Sequence, residues 1–165
     1  MTLAADRVVE RRSPLTVRIV EWTLMFLGVT ATAGGFAMIV GILVPPVGWL
    51  DAIPLVDNWL VPGLVLGIGF GFGSLVVFTA VMRRWEWPWV ERLTGHHWSW
   101  IATILIGLGQ MVWIGLELAF LPELSALQVV YGLVGTALFL VPFLPSVRQH
   151  LRAVPKRPNA SWTQR

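Results

Sequence analysis

The sequence contains no cysteine and few charged residues. The absence of cysteine excludes disulfide frameworks, thiolate metal sites and cysteine-based redox chemistry. Charged residues make up 13% of the 165 residues, about half the share found in soluble domains. The hydrophobic share is 56% and the mean hydropathy is +0.71. A soluble fold of this composition would lack polar surface, so the chain is predicted to be a membrane protein.

Sequence motifs of catalysis and of cofactor binding are also missing. We find no HExxH, GxSxG or phosphate-loop pattern, and the closely spaced glycines fall inside an apolar run instead of between a strand and a helix. Haem held between helices needs histidines within the spans, and no apolar run contains one. We therefore predict no catalytic residue, no cofactor and no metal site.

Four apolar runs are each about as long as the ~20 residues that a helix needs to cross a bilayer. The predicted fold class is all-α, an integral membrane bundle of four transmembrane helices. Short polar segments flank the bundle at either end. The predicted spans are 17–44, 61–82, 98–121 and 125–144, within a domain over 17–146 that lies between an N-terminal arm (1–16) and a basic tail (147–165).

The basic residues are distributed on one side of the predicted bundle. All 12 Lys and Arg fall between residues 7 and 18, in the segment 83–92 between spans two and three, or after residue 147. The two other connections carry Asp51, Asp57 and Glu123 instead. The positive-inside rule predicts that both termini lie in the cytoplasm. The net charge of +3 then indicates contact with anionic lipid headgroups at the cytoplasmic face, and not with nucleic acid.

The second predicted span is unusually rich in glycine. Three of its glycines are spaced four residues apart and therefore share one helical face. Two further glycines lie about 160° around the helix from that face, if each residue turns the helix by ~100°. A bare glycine face lets another helix approach closely in lipid, so we expect this span at the centre of the bundle. The first face consists of Gly63, Gly67 and Gly71, and the second of Gly69 and Gly73.

One carboxylate lies within an apolar run, which is costly in a membrane. Glu117 shares a helical face with Gln110 and Trp113, near the acidic side. The Glu117 carboxyl either forms hydrogen bonds that fix helix packing, or it binds a ligand or a proton. Asp57 precedes the glycine helix, where it either caps that helix or faces Glu117. His96 and His97 are interpreted as interfacial polar residues.

The segment from Pro54 to Leu66 resembles the P-x-x-D-x-x-x-x-P-G-x-x-L signature of a family of small bacterial four-span integral membrane proteins. The chain is also similar to that family in an early glycine pair, in a span-three tryptophan followed by an acid, and in the S-x-L-Q start of span four. The resemblance implies a bacterial plasma membrane location and does not point to any particular activity. It draws attention to Asp57, Pro62, Gly63, Glu117 and Gln128.

Three functions remain open on the sequence. The first is a structural or accessory membrane protein that packs against itself or a larger complex, because glycine faces are abundant and polar groups within the spans are few. The second is a small transporter or channel using Glu117, although a polar path across about 30 Å of hydrocarbon is hard to trace. The third is a membrane enzyme acting on lipid or quinone.

Overall fold

The structure of the protein is a computed structural model, and it describes residues 14–46, 48–53, 56–121 and 123–152. Within these ranges the elements are helical, and no β-strand occurs. The helices are α1 (Leu15–Ile39), α2 (Trp49–Ala52), α3 (Leu60–Arg83), α4 (Pro88–Thr94), α5 (Trp98–Phe120), α6 (Ala126–Leu140) and α7 (Pro145–His150). A 3₁₀ turn (Val141–Phe143) extends α6.

Four of these helices are long and apolar enough to cross a membrane. They are α1, α3, α5 and α6 with its 3₁₀ extension, and their mean hydropathies run from 1.5 to 2.2. The helical class and the four candidate spans predicted from the sequence are therefore confirmed. Three of the predicted spans also agree with the observed helices to within a few residues.

The first helix ends earlier than predicted. The sequence interpretation continued it to Val44, with Pro45-Pro46 as the stop, but α1 ends at Ile39. Gly41 adopts a positive φ of 75°, and the backbone N–H of Ile42 turns back to the carbonyl of Ala37 at 2.9 Å. A left-handed glycine just past the last turn is a common helix stop, and it acts here before the prolines are reached.

The glycine-rich span is not a uniform α-helix. Its middle section, Val65–Phe72, forms a π-helix between two α-helical segments. The wider i→i+5 turn occurs where glycines at 67, 69 and 71 leave the backbone free of side-chain constraints. The uniform ~100° rotation used to place the two glycine faces from the sequence therefore does not hold through this section.

The four long helices form a ring in which no helix occupies the centre. α1 packs along α3, and α5 packs along α6, with lighter contacts between α3 and α5 and between α1 and α6 closing the ring. The expectation that the glycine-rich span is central is therefore not met. Two tightly packed pairs side by side give each helix one close partner and leave a large apolar surface facing outward.

The segment after the last span begins as part of the bundle and not as a free tail. Val147 and Leu151 are 0% and 1% exposed, and the hydroxyl of Thr16 lies 2.8 Å from that of Ser146. The predicted domain boundary at 146 therefore falls inside α7, whose apolar side packs on the start of α1. The predictions for residues 1–13 and 153–165, and for Pro54, Leu55 and Pro122, lie outside the described residues.

Candidate functional site

The first glycine face of α3 lies directly against α1. A Cβ atom built on Gly35 would be 2.5 Å from the carbonyl oxygen of Gly63 and 2.5 Å from the amide nitrogen of Gly67. A Cβ on Gly71 would collide with the Thr32 backbone and hydroxyl. The two backbones therefore approach so closely that only glycine fits at positions 35 and 71, whereas a Cβ on Gly67 would meet the Cα of Gly35 at an ordinary 3.5 Å.

The second glycine face of α3 meets no neighbouring helix. A Cβ built on Gly69 has no atom within 4 Å, and one on Gly73 meets only the carbonyl of Ile68 in its own helix, at 3.7 Å. The side chains of Ile68 and Phe72 beside them are about 60% exposed. This surface, which we call the open glycine face (residues 68, 69, 72 and 73), is apolar and uncovered among the described residues.

The α5–α6 pair has its own close approach, which the sequence interpretation did not single out. A Cβ on Gly107 would clash with the backbone of Phe139. One turn along, a Cβ on Gly135 would meet the Cβ and Cγ of Gln110 at 3.1 Å. Gln110 is 1% exposed, and its Oε1 has no hydrogen-bond partner in the described chain.

Glu117 and Trp113 form a direct pair near the far end of this interface. The indole Nε1–H of Trp113 donates a hydrogen bond to Glu117 Oε1 at 2.6 Å. The Gln128 amide lies close to the same carboxyl, although its buried Nε2 makes no hydrogen bond of standard geometry. The structure thus brings together Glu117, Trp113 and Gln128, with Gln110 two turns away on α5.

Gln128 has a second role that fixes its orientation. Its Oε1 accepts a hydrogen bond from the backbone N–H of Ser125 at 2.9 Å, as the glutamine of a capping box does at the start of a helix. The amide NH₂ of the side chain is thereby turned away from the helix start. The capping interaction therefore sets where the polar edge of Gln128 lies relative to Glu117.

Asp57 does not join this cluster, and it does not cap α3. The backbone N–H of Leu60 is bound instead by Asn58 Oδ1 at 3.0 Å, while Asp57 is exposed. The groups that act on the Glu117 carboxyl are Trp113 and Gln128, and Asp57 is not among them. Asn58 therefore takes the capping role at α3 that the sequence offered to Asp57, and no contact among the described residues joins Asp57 to Glu117.

The chemistry available to the Glu117 cluster is that of hydrogen bonding. Its members are one carboxyl, one indole N–H donor and two amides, which can hold a polar group or an ordered water molecule. Within the described ranges no three His, Asp or Glu side chains group closely enough to hold a metal ion. The cluster therefore fits a polar packing element or a small hydrogen-bonding site.

The opposite end of the bundle, where the basic residues lie, contains a buried histidine. His97 is 4% exposed, which corrects its interpretation as an interfacial residue. It caps α5, since the Ser99 N–H points at its Nδ1 at 3.4 Å and the Ser99 hydroxyl lies 2.7 Å from that atom. With Nδ1 accepting, the neutral ring carries its proton on Nε2, which lies 3.7 Å from Glu91 Oε1.

Burial lowers the pKa of His97, and the neighbouring Glu91 carboxylate opposes this effect only in part. The pKa of His150 in α7 is lowered by burial too, and further by the nearby Arg84 guanidinium. Arg84 ends α3 in a left-handed conformation with φ 52°, the only positive φ at a non-glycine position in the described chain. Two partly desolvated histidines therefore lie where the basic residues gather.

A cavity of about 210 Å³ opens at this end between α7 and the loop before α5. Its polar lining comes from residues that are far apart in sequence, so sequence reasoning did not find it. The one feature of the sequence that could have indicated this cavity is the group of basic residues after the last span. The lining residues are His96, Pro145, Arg148, Gln149 and Arg152.

Aromatic side chains surround this end of the bundle. Trp98 donates its indole N–H to the carbonyl of Trp85 at 2.6 Å and packs edge-on against Trp85 and Trp87. Trp89 extends the cluster by packing on Trp87, and both of these side chains are about half exposed. Tryptophan at the end of a span is typical of the headgroup depth of a membrane.

Comparison with known proteins gives no relative. No family model matches the chain, and neither a curated protein nor a solved structure is similar to it. The resemblance to the small four-span family therefore stays a prediction.

Proposed function

We propose that the chain is a multi-pass protein of the bacterial plasma membrane that acts as a structural or accessory subunit, packing through its open glycine face against a second copy or a larger complex. The observation that carries the proposal is the unequal use of the two glycine faces of α3. One face is occupied by α1, whereas on the other a Cβ built on Gly69 would meet no side chain or neighbouring helix of the described chain within 4 Å.

The proposed membrane orientation rests on the charges at the two ends of the bundle. The described basic residues lie where α1 and α5 begin and α3 and α6 end, and they are Arg18, Arg83, Arg84, Arg92, Arg148 and Arg152. The opposite end carries Asp51, Asp57 and Glu123, with neither Lys nor Arg. We propose that the basic end faces the cytoplasm, where it also contacts anionic headgroups.

An open glycine face matters more in lipid than in water. Apolar surface gains nothing by leaving one hydrocarbon for another, so helices associate through close van der Waals packing at small residues. Gly69 and Gly73 offer such a surface on a helix whose other side is already fixed by α1. A partner helix would approach there without any change in the fold of the monomer.

The test compares enlargement of the two faces. Crosslinking in native membranes, followed by native gel electrophoresis, should give a higher-mass species for the wild type and for V129L, an enlargement at an exposed position of α6. G69L should lose this species and keep the melting temperature of the wild-type monomer. G67L should instead destabilise the monomer. A wild type that remains a monomer at every loading would contradict the proposal.

A transporter or channel using Glu117 is the second candidate function. It is favoured by the grouping of Glu117, Trp113 and Gln128 at the α5–α6 interface, with unpartnered amide atoms on Gln110 and Gln128. Flux of candidate ions into liposomes should then depend on Glu117 and fall in E117Q. Equal flux from E117Q and the wild type, or no flux above that of empty liposomes, would remove this candidate.

A further inference from the structure

The cavity at the basic end has walls that are fixed by the fold. His96 pairs with Arg152 through an isolated antiparallel bridge, and the backbone N–H of His97 donates to the carbonyl of Leu151 at 2.7 Å. These contacts join the loop before α5 to the end of α7. The residues that line the cavity are therefore held together by backbone pairing and not only by their side chains.

The histidine in the wall is oriented by two further contacts. The His96 ring stacks on Trp100 with centroids 4.7 Å apart, and the Trp100 indole N–H donates to the carbonyl of Pro142 at 2.9 Å. His96 Nδ1 lies 2.9 Å from the carbonyl of Thr94, which can only accept, so this nitrogen carries a proton. Nε2 is the ring atom left to meet a ligand, and in the neutral ring it is an acceptor that can bind an O–H or N–H of that ligand.

The polar groups of the cavity are predominantly hydrogen-bond donors. Arg148 and Arg152 each present a planar guanidinium, and Gln149 adds an amide. Among the described residues no carboxylate lies within 4.0 Å of either guanidinium. Two guanidinium groups without a carboxylate partner among the described residues, carried on backbone that the fold holds in place, attract an anion.

The number of donors and the volume indicate the kind of anion. A carboxylate has two oxygens and is satisfied by one guanidinium fork, whereas a phosphate group offers enough oxygens for two forks. The volume of about 210 Å³ is well above the ~10–15 Å³ that a cavity needs to hold one water molecule, so the site has room for a group of several atoms. A phosphate group therefore fits the cavity in both size and hydrogen bonding.

We infer that this cavity is a binding site for a phosphate group, lined by Arg148, Arg152, Gln149 and His96. The phosphate comes either from the headgroup of an anionic phospholipid or from soluble phosphate. The lipid source rests on the membrane insertion proposed above, since the tryptophans beside the cavity would place it at headgroup depth. Binding of soluble phosphate does not depend on the orientation of the chain.

Calorimetric titration of the full chain in neutral detergent tests the inference. The probes are inorganic phosphate, short-chain phosphatidic acid, and short-chain phosphatidylcholine as a lipid without net charge, all at constant ionic strength. The wild type should bind at least one of the first two. In R148Q/R152Q the Kd for the bound probe should rise about tenfold or more for each arginine replaced. Each substitution removes charge-assisted hydrogen bonds to the phosphate group.

The control R83Q/R92Q removes the same charge from the same end of the bundle but leaves the cavity intact, so its Kd should match that of the wild type. If R148Q/R152Q does not fold, R148K/R152K keeps the charge and should still bind more weakly, because it loses both planar forks. Circular dichroism and elution volume establish folding of each variant.

The two sources give different results. Binding of phosphatidic acid alone identifies the lipid headgroup, and equal binding of inorganic phosphate identifies the soluble source. No binding of either probe by the wild type, or equal weakening in R83Q/R92Q and R148Q/R152Q, would overturn the site. These outcomes are independent of the G69L crosslinking result, so failure of one proposal is distinguishable from failure of the other.

Discussion

At the scale of single residues, the polar groups of this protein act mainly by fixing helices in place. Gln128 and His97 each bind a backbone N–H at the start of a long helix, and Asn58 does the same for α3. Each satisfies one of the donors that every helix start leaves unpaired. The polar side chains that look functional in the sequence therefore include several whose observed contacts are structural.

Glu117 provides the first prediction at this scale. E117Q keeps an oxygen that accepts from the Trp113 indole, so its melting temperature should stay close to that of the wild type. E117A leaves that indole without its partner and should lose about 1–3 kcal/mol of stability. Thermal unfolding of the purified proteins measures both. Equal stability of all three would show that the pair contributes nothing to the fold.

His97 and His150 predict a dependence of stability on pH. Their lowered pKa values mean that the unfolded chain binds protons more readily, so stability rises with pH and falls as pH drops below the ordinary histidine pKa of about 6.5. H97N keeps a good N-cap residue and removes one titration. Its melting temperature should vary less between pH 5 and 8 than that of the wild type. An unchanged pH dependence in H97N/H150N would contradict this explanation.

At the scale of helices and their contacts, two close crossings hold the bundle as two pairs. α1 meets α3 at Gly35 and Gly67, and α5 meets α6 at Gly107 and Gly135. The glycine face of α3 that packs on α1 could be predicted, because a four-residue spacing of glycines can be read from the sequence of one helix. The partner glycines could not be predicted, because their pairing depends on how separate helices align.

The crossing at Gly35 predicts a sharp difference between two neighbouring residues. G35A would drive a methyl group into the backbone of α3 and should cost about 1–3 kcal/mol. G34A places the same methyl 3.7 Å from Leu66, an ordinary contact, and should be neutral or stabilising by up to about 1 kcal/mol. Thermal unfolding in detergent separates the two. A G35A protein as stable as G34A would show that the helices do not cross here.

α7 predicts that residues after the last span carry stability. L151A removes a side chain that is 1% exposed and should cost about 2–5 kcal/mol. L144A changes an exposed leucine in the preceding turn and serves as the control, with little expected loss. The comparison uses melting temperatures at equal detergent concentration. Similar values for both variants would mean that α7 does not pack on α1.

At the scale of the whole molecule, composition and hydrophobic runs were sufficient to predict four helices and their approximate ends. The early end of α1 was missed because the left-handed turn at Gly41 is a local backbone choice that the apolar run conceals. The Ser125–Gln128 cap was not predicted, although its S-x-x-Q spacing is that of a capping box. The cavity at the basic end was not predictable, because residues 96 and 152 meet only after the bundle has formed.

The membrane topology is the central claim, and accessibility of single cysteines tests it most directly. The chain has no cysteine of its own, so each introduced thiol reports one position. D51C and L124C lie at the acidic end, and L93C lies in α4 at the basic end, with all three positions exposed. An impermeant maleimide should label D51C and L124C in intact cells and L93C only after lysis. Labelling of L93C in intact cells, or of only one of the other two, would contradict four spans with a cytoplasmic basic end.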